Sequence, residues 1–105
     1  MAVHPASTRS ASINVNSSGD NTVVAASTTG TLNVYAIIFT VNGATNITFK
    51  SGSTALSGPI VFTGNGSSMA LQQSENPWFS CLAGNDFVIN SSNAVTIAGM
   101  VYYTT

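Results

Sequence analysis

The stretch that decides the fold is TLNVYAIIFTVNGATNITFKS, residues 31–51. Its first half, Thr31 to Val41, carries apolar side chains at successive positions and not only at alternate ones. In an extended strand the two faces would be Leu32, Val34, Ala36 and Ile38 on one side, and Tyr35, Ile37, Phe39 and Val41 on the other. A sheet with one side in water shows polar residues at alternate positions, so this pattern predicts a strand covered on both sides. Periodicity leaves two coverings open: a second sheet together with a neighbouring subunit, or a bent strand whose ends face different cores.

The second half of the stretch predicts a β-hairpin. Asn42-Gly43 is the strongest short-range signal for a two-residue type I′ turn, because both central positions of that turn require a positive φ. The returning strand, Ala44 to Ser51, alternates apolar Ile47 and Phe49 with polar residues. Such alternation is typical of a sheet with one side in water. The side chains expected on the wet side are Asn46, Thr48 and Lys50.

Short apolar stretches and turn signals alternate along the rest of the chain. The further strands that they predict cover residues 13–15, 22–26, 60–62, 69–71, 78–82, 87–90 and 95–103. The pattern predicts an all-β protein, an antiparallel β-sandwich or jelly roll of about eight strands that forms a single domain over residues 13–105. Residues 1–12, MAVHPASTRSAS, show no periodicity and predict a flexible N-terminal arm.

Charge is scarce in this chain. Two basic and three acidic residues among 105 give a formal net charge of −1, where soluble domains carry roughly one quarter charged residues. So little positive charge cannot steer the protein toward nucleic acid or an anionic membrane, and neither is expected as a partner. Hydrogen bonding and packing must therefore carry the function.

The titratable side chains predict neither a catalytic nor a metal site. A nucleophile and its base would have to come from His4, Cys81 and three carboxylates, and His4 lies in the predicted arm. Asp20 and Asp86 sit beside turn residues, where a short carboxylate accepts hydrogen bonds from local backbone N–H groups. Cys81 is the only cysteine and is expected to be a small core hydrophobe. We expect a protein without enzymatic activity, cofactor or metal.

Two aromatic pairs supply candidate contact residues. In Trp78-Phe79 and in Tyr102-Tyr103, one ring should point inward and the other outward, since successive strand residues face opposite sides. Trp78 and Tyr103 are the two rings predicted to reach a subunit or partner, because aromatic anchors dominate the energetics of interfaces.

Three stretches resemble the head decoration, or cement, proteins of tailed bacteriophages: YAIIFTVNGATNITFKSGSTALSGPIVF (Tyr35 to Phe62), ENPWF (Glu75 to Phe79) and GNDFVIN (Gly84 to Asn90). The similar part covers about residues 32–103. The resemblance implies a virion structural protein that trimerises on the outer capsid surface and stabilises the head by bridging major capsid proteins. It implies no catalytic residues.

The resemblance also places the contacts. A cyclic trimer would bury the second face of residues 31–41, and the predicted subunit interface is Tyr35, Ile37, Phe39, Trp78 and Tyr103. The arm would reach across a seam of the shell, with capsid contacts at Ala2, Val3, His4, Pro5 and Arg9. No apolar run in residues 1–12 resembles an export signal, so we expect synthesis in the host cytoplasm and a final location in the virion.

The alternative function is a carbohydrate-binding or receptor-binding module of a phage fibre or tail, built on a similar sandwich. Aromatic pairs and Asn-rich loops would suit the recognition of surface glycans. A specific sugar bound by the purified protein would favour this alternative, whereas binding only to undecorated heads would favour the cement protein.

Overall fold

Ten β-strands form the regular structure of the chain in a computed structural model that describes residues 8–27 and 30–105. The strands are β1 (Arg9–Val15), β2 (Gly19–Val24), β3 (Leu32–Val41), β4 (Thr45–Ser51), β5 (Thr54–Ala55), β6 (Ile60–Phe62), β7 (Ser68–Leu71), β8 (Phe79–Cys81), β9 (Phe87–Ser91) and β10 (Ile97–Thr104). Over these described ranges, no helix is long and apolar enough to cross a membrane.

The strands build two sheets, and all their pairings are antiparallel. Sheet I has the order β1-β10-β3, and β7 and β8 share the remaining edge of β3. Sheet II has the order β2-β9-β4, and β5 and β6 share the remaining edge of β4. The β-sandwich prediction is confirmed, with ten strands in place of about eight. The finer assignment to a jelly roll stays a prediction.

The core between the sheets is centred on aromatic rings. All five phenylalanines of the chain belong to one cluster, to which sheet I contributes Phe39 and Phe79 and sheet II contributes Phe49, Phe62 and Phe87. Phe49 is fully buried and lies between 4.7 and 6.2 Å, centroid to centroid, from three of the other rings. These are distances at which tilted and edge-on pairs attract beyond their burial alone.

A β-bulge in β3 determines which of its side chains reach this core. Tyr102 pairs with Ala36 and the next residue, Tyr103, pairs with Val34, so that Tyr35 is the extra residue. Because side chains alternate with a period of two, one extra residue exchanges the faces. The inward residues of β3 are therefore Leu32, Val34, Ile37, Phe39 and Val41, all nearly inaccessible to solvent. The predicted alternation is wrong for Leu32 and Val34, because the bulge puts them on the core side together with Ile37, Phe39 and Val41.

The Asn42-Gly43 pair does not form the predicted hairpin. It carries the chain from sheet I to sheet II, and the positive φ that a type I′ turn requires is found at neither residue. Asn42 instead exchanges hydrogen bonds with Thr96: its N–H donates to the Thr96 carbonyl (3.1 Å), and its Oδ1 accepts from the Thr96 N–H (2.8 Å). The crossing places the apolar faces of β3 and β4 opposite each other across the core, whereas a hairpin would have placed them side by side.

The alternation predicted for β4 is confirmed. Ile47 and Phe49 are fully buried, Asn46 is exposed, and Thr48 and Lys50 are partly exposed.

The first strand begins earlier than predicted. Strand β1 begins at Arg9, and residues 9–12 pair with residues 100–103 of β10, so the flexible arm predicted for residues 1–12 is wrong over its last four residues. A ladder to a central strand can hold such a polar segment extended, because the backbone supplies the bonds. The predicted capsid contacts Ala2, Val3, His4 and Pro5 lie outside the described residues.

Gly99 allows β10 and β3 to approach closely, and we predict that Gly99→Ala destabilises the fold. A Cβ at this position would lie 2.6 Å from the Cα of Phe39 and even closer to the carbonyl oxygen of Ile38. Both are backbone atoms of the neighbouring strand, so the sheet itself would have to shift. We expect a loss of about 2 kcal/mol or more in the free energy of unfolding, measured by urea denaturation.

The matched control is Gly58→Ala, since a Cβ there meets no atom within 4 Å and no positive φ is needed. We expect this variant to unfold within about 0.5 kcal/mol of the wild type. Equal stability of the two variants would contradict the role assigned to Gly99.

Candidate interaction surface

The outer face of sheet I is the candidate functional surface, and we call it the uncharged face. It is formed by the outward side chains of β1, β10, β3 and β7, together with Gln72, which follows β7. Its residues are Ser10, Ser12, Asn14, Ala36, Ile38, Thr40, Ser68, Ala70, Gln72, Ala98, Met100 and Tyr102. The five charged residues all lie in the described part of the chain, and none belongs to this face.

The middle of the uncharged face is a ridge. Met100 and Ile38 are direct partners on adjacent strands, with Ser12 beyond Met100 and Ala70 beyond Ile38. Ile38 is 51% exposed and Met100 is 39% exposed. The ridge therefore presents two large apolar side chains to solvent between two small neighbours.

A hollow lies on each side of this ridge along the strand direction. The first, about 220 Å³ in volume, is lined by Ala36, Ala70, Gln72 and Tyr102 in addition to the ridge residues. The second, about 400 Å³ and more open, is lined by Ser12, Thr40 and Ala98 beside the ridge. Both hollows exist because the rows next to the ridge carry mostly small side chains.

The outer face of sheet II has the opposite character. Lys50 Nζ lies 3.0 Å from both carboxylate oxygens of Asp20, and the side-chain amide of Asn90 donates to Asp20 Oδ1 at 2.7 Å. These hydrogen bonds, from Asn90 first and then from Lys50, lower the pKa of the Asp20 carboxyl below its ordinary value. One basic and one acidic residue of the chain thus neutralise each other far from the uncharged face.

Asp86 has a structural position. Asp86 accepts hydrogen bonds from the N–H of Ala26 (2.7 Å) and from the hydroxyl of Thr22 (3.3 Å), and so ties the end of β2 to the start of β9. The local turn bonds predicted for Asp20 and Asp86 are therefore wrong, because the observed partners lie at least thirty residues away in the sequence. In the two described ranges, no three His, Cys, Asp or Glu side chains cluster in a way that could hold a metal ion.

Cys81 is buried in the core, as predicted. It is 1% exposed, and burial raises the pKa of its thiol. The neighbouring Ser51 hydroxyl accepts hydrogen bonds from the Leu82 N–H (3.0 Å) and from the Asn85 side chain (3.1 Å), which closes this end of the sandwich.

The structure corrects part of the predicted subunit interface. Ile37 and Phe39 are 2% and 1% exposed within a single chain, so they are core residues and a second subunit cannot bury them further. The prediction was wrong for these two because the bulge at Tyr35 puts them on the same side as Val34. Tyr35 itself is half-buried at the bulge.

The outward ring was predicted correctly for the pair Trp78-Phe79 and wrongly for the pair Tyr102-Tyr103. Trp78 is 47% exposed while Phe79 joins the core cluster, which confirms the outward orientation of Trp78. In the second pair Tyr102 is the exposed ring, and Tyr103 packs against the core, so the outward orientation predicted for Tyr103 is wrong. Tyr103 lies two residues after the fully buried Val101 in β10, so both side chains point to the core side of the strand.

Sequence reasoning missed Ile38, Met100 and Tyr102 as surface residues. They are three of the six large apolar side chains exposed in the described ranges, and the other three are Val61, Trp78 and Leu82. A signal was present in β10: once Ile97 and Val101 are taken as inward, Ala98, Met100 and Tyr102 must be outward, and none is charged. Ile38 could not be assigned in this way, because its face depends on the bulge.

Comparison with known proteins adds no relative. No protein-family model, no curated protein and no solved structure matches this chain at a significant level.

For the polar face of sheet II, we predict that Asp20→Asn lowers stability slightly near neutral pH and not at all in strong acid. The lowered pKa of Asp20 means that the folded state favours its carboxylate. The stabilisation is therefore complete above the unfolded-state pKa and is lost as the pH falls through the lower folded-state pKa. Because the pair is exposed to solvent, we expect a loss below about 1 kcal/mol at about pH 7.

Urea denaturation at several pH values, with wild type and variant side by side, measures this difference. A difference that grows toward acid pH would contradict the assignment of the stabilising form to the carboxylate.

Proposed function

We propose that this protein is a virion structural protein, a capsid decoration (cement) protein of a tailed bacteriophage. In this proposal it forms a homotrimer on the outer capsid surface and stabilises the head by bridging major capsid proteins. It acts by contact and not by catalysis. The observation that carries the proposal is the uncharged face, a broad sheet surface with exposed Ile38, Met100 and Tyr102 in a chain that also resembles cement proteins.

The order of the strands supports the proposal. If β5 and β6 count as one position, and β7 and β8 as another, the two sheets run 1-8-3-6 and 2-7-4-5. The neighbouring positions are then 1 and 8, 2 and 7, 3 and 6, and 4 and 5. The same pairs would be neighbours if one long hairpin were rolled up into two sheets. Such an order is expected of a double Greek key and so supports the jelly roll that we propose, an architecture found in viral capsid and lectin domains. Fold alone does not assign function, so the argument still depends on the surface.

The distribution of charge supports attachment through apolar and hydrogen-bonding contacts. Only five of the 105 residues are charged, and Lys50 and Asp20 are already paired with each other, so few charges remain for attachment. Contacts of this kind depend little on ionic screening, whereas attachment through exposed charges weakens as salt is added.

We predict that the protein binds undecorated capsids and stays bound when the salt concentration rises from about 0.1 M to about 1 M. Cosedimentation of purified protein with capsids that lack their decoration protein measures the occupancy. Decorated particles should also rupture at a higher temperature than bare ones, because a protein that binds only the assembled state stabilises it. Absence of binding, or release at moderate salt, would contradict the proposal.

A second prediction concerns the segment before β1, which the proposal assigns to the shell. Removing residues 2–7 leaves β1 complete, since that strand begins at Arg9. We expect the shortened protein to keep its stability in urea and to occupy fewer capsid sites than the full chain at equal concentration. Unchanged occupancy would remove Ala2, Val3, His4 and Pro5 as capsid contacts. Arg9→Ala, in the full chain, tests separately the one proposed contact that lies in β1.

One observation favours the alternative function, a carbohydrate-binding or receptor-binding module of a fibre or tail. Trp78 is exposed, and its indole N–H donates to the Gln72 carbonyl at 2.8 Å while its backbone N–H donates to the Val34 carbonyl at 2.8 Å. A ring held in this way offers its face for stacking on a sugar. Retention of one glycan on an array, together with failure to bind capsids, would support this alternative.

A further inference from the structure

We infer that the uncharged face is the surface through which copies of this chain contact each other. The proposed function supplies the premise that the protein works as an oligomer, and the structure supplies the place. The contact is made by the Ile38–Met100 ridge and the two hollows beside it, and not by the residues that the sequence pattern suggested.

The first argument is electrostatic. Burying a charge is costly unless it is paired, and the uncharged face buries none. When two copies meet through this face, no like charges come together and no charged side chain loses its hydration. A partner with a charged surface would lose the hydration of its ions and gain no counter-charge from this face. The occupant that fits is therefore another uncharged sheet face, and a second copy supplies one.

The second argument is shape. A ridge of two large side chains runs between two hollows on the same face, so that the surface carries both a projection and the space to receive one. Packed sheets interdigitate the side chains of their facing surfaces in this manner.

The third argument is size. Four strands about 4.8 Å apart and three rows of outward residues give a flat area of roughly 400 Å². About half of the residues of this face are polar, so its apolar part is smaller and is centred on the Ile38–Met100 ridge. Two such faces bury less than the about 1,600 Å² of a standard interface, so the association should depend on concentration.

The test is size-exclusion chromatography with light scattering over a range of concentrations. We expect the wild type to reach a multiple of its 10.7 kDa chain mass. Ile38→Asp and Met100→Asp each place a charge on the ridge, and we expect them to run as monomers or to associate at least about tenfold more weakly. Both side chains are exposed, so neither change removes a core contact.

The matched control is Val61→Asp. Val61 is 67% exposed on β6 of sheet II, so the same charge is added to an exposed aliphatic position away from the uncharged face. We expect this variant to associate like the wild type. Circular dichroism of all three variants checks that each one folds, and Met100→Asp keeps the test decisive if Ile38→Asp does not fold. A monomeric wild type, or ridge variants that associate like the control, would overturn the inference.

Capsid binding of the same variants separates this inference from the proposed function. If the wild type associates, the ridge variants do not, and none binds capsids, the inference stands and the proposed function fails. If the wild type is monomeric and a ridge variant loses capsid binding, the face contacts the shell, so the inference fails and the proposed function stands. A mass of two chains in place of three would refute the proposed trimer and leave the face as the contact.

Discussion

The packing of Phe49 against rings from both sheets is the contact on which the architecture depends. Phe49 comes from sheet II, yet its partners include Phe39 and Phe79 of sheet I as well as Phe87 of its own sheet. Because the chain crosses from sheet I to sheet II immediately after β3, the two halves of residues 31–51 become opposite walls of one core. The remaining strands then add edges around these walls, and their inward residues complete the enclosure of the rings.

The bulge at Tyr35 determines what this core leaves outside. In a regular strand, either Leu32 and Val34 or Ile37, Phe39 and Val41 would face solvent, because residues of opposite phase cannot share one face. The extra residue brings all five into the core, and of the large side chains of β3 only Ile38 is left exposed on the outer face. The local irregularity of the backbone thus reduces the exposed apolar surface of sheet I to the narrow ridge that Ile38 forms with Met100.

Local pattern predicts those features that depend on neighbours in sequence. The alternation of β4, the burial of Cys81 and the outward ring of Trp78 all follow from it, as does the all-β class. The bulge depends on the register of β3 against β10, some sixty residues later in the chain, and no local signal reports it. Asn42-Gly43 is an equally good turn sequence for a hairpin and for a crossing between sheets. Residues 9–12 are extended because β10 pairs with them, and their own polar sequence does not reveal this.

Five charged residues are too few to oppose association at both outer faces of the sandwich, and these residues are distributed unequally between the two faces. The face of sheet II holds the Lys50–Asp20 pair, and Asp86 ties the end of β2 to the start of β9. Sheet I has no charge on its outer face, and sheet surfaces without charge readily associate with other sheets. The contact inferred between copies of the chain would cover this face. The face carries no charge that a charged partner could recognise, so it fits best against another uncharged surface. A second copy of the chain provides such a surface.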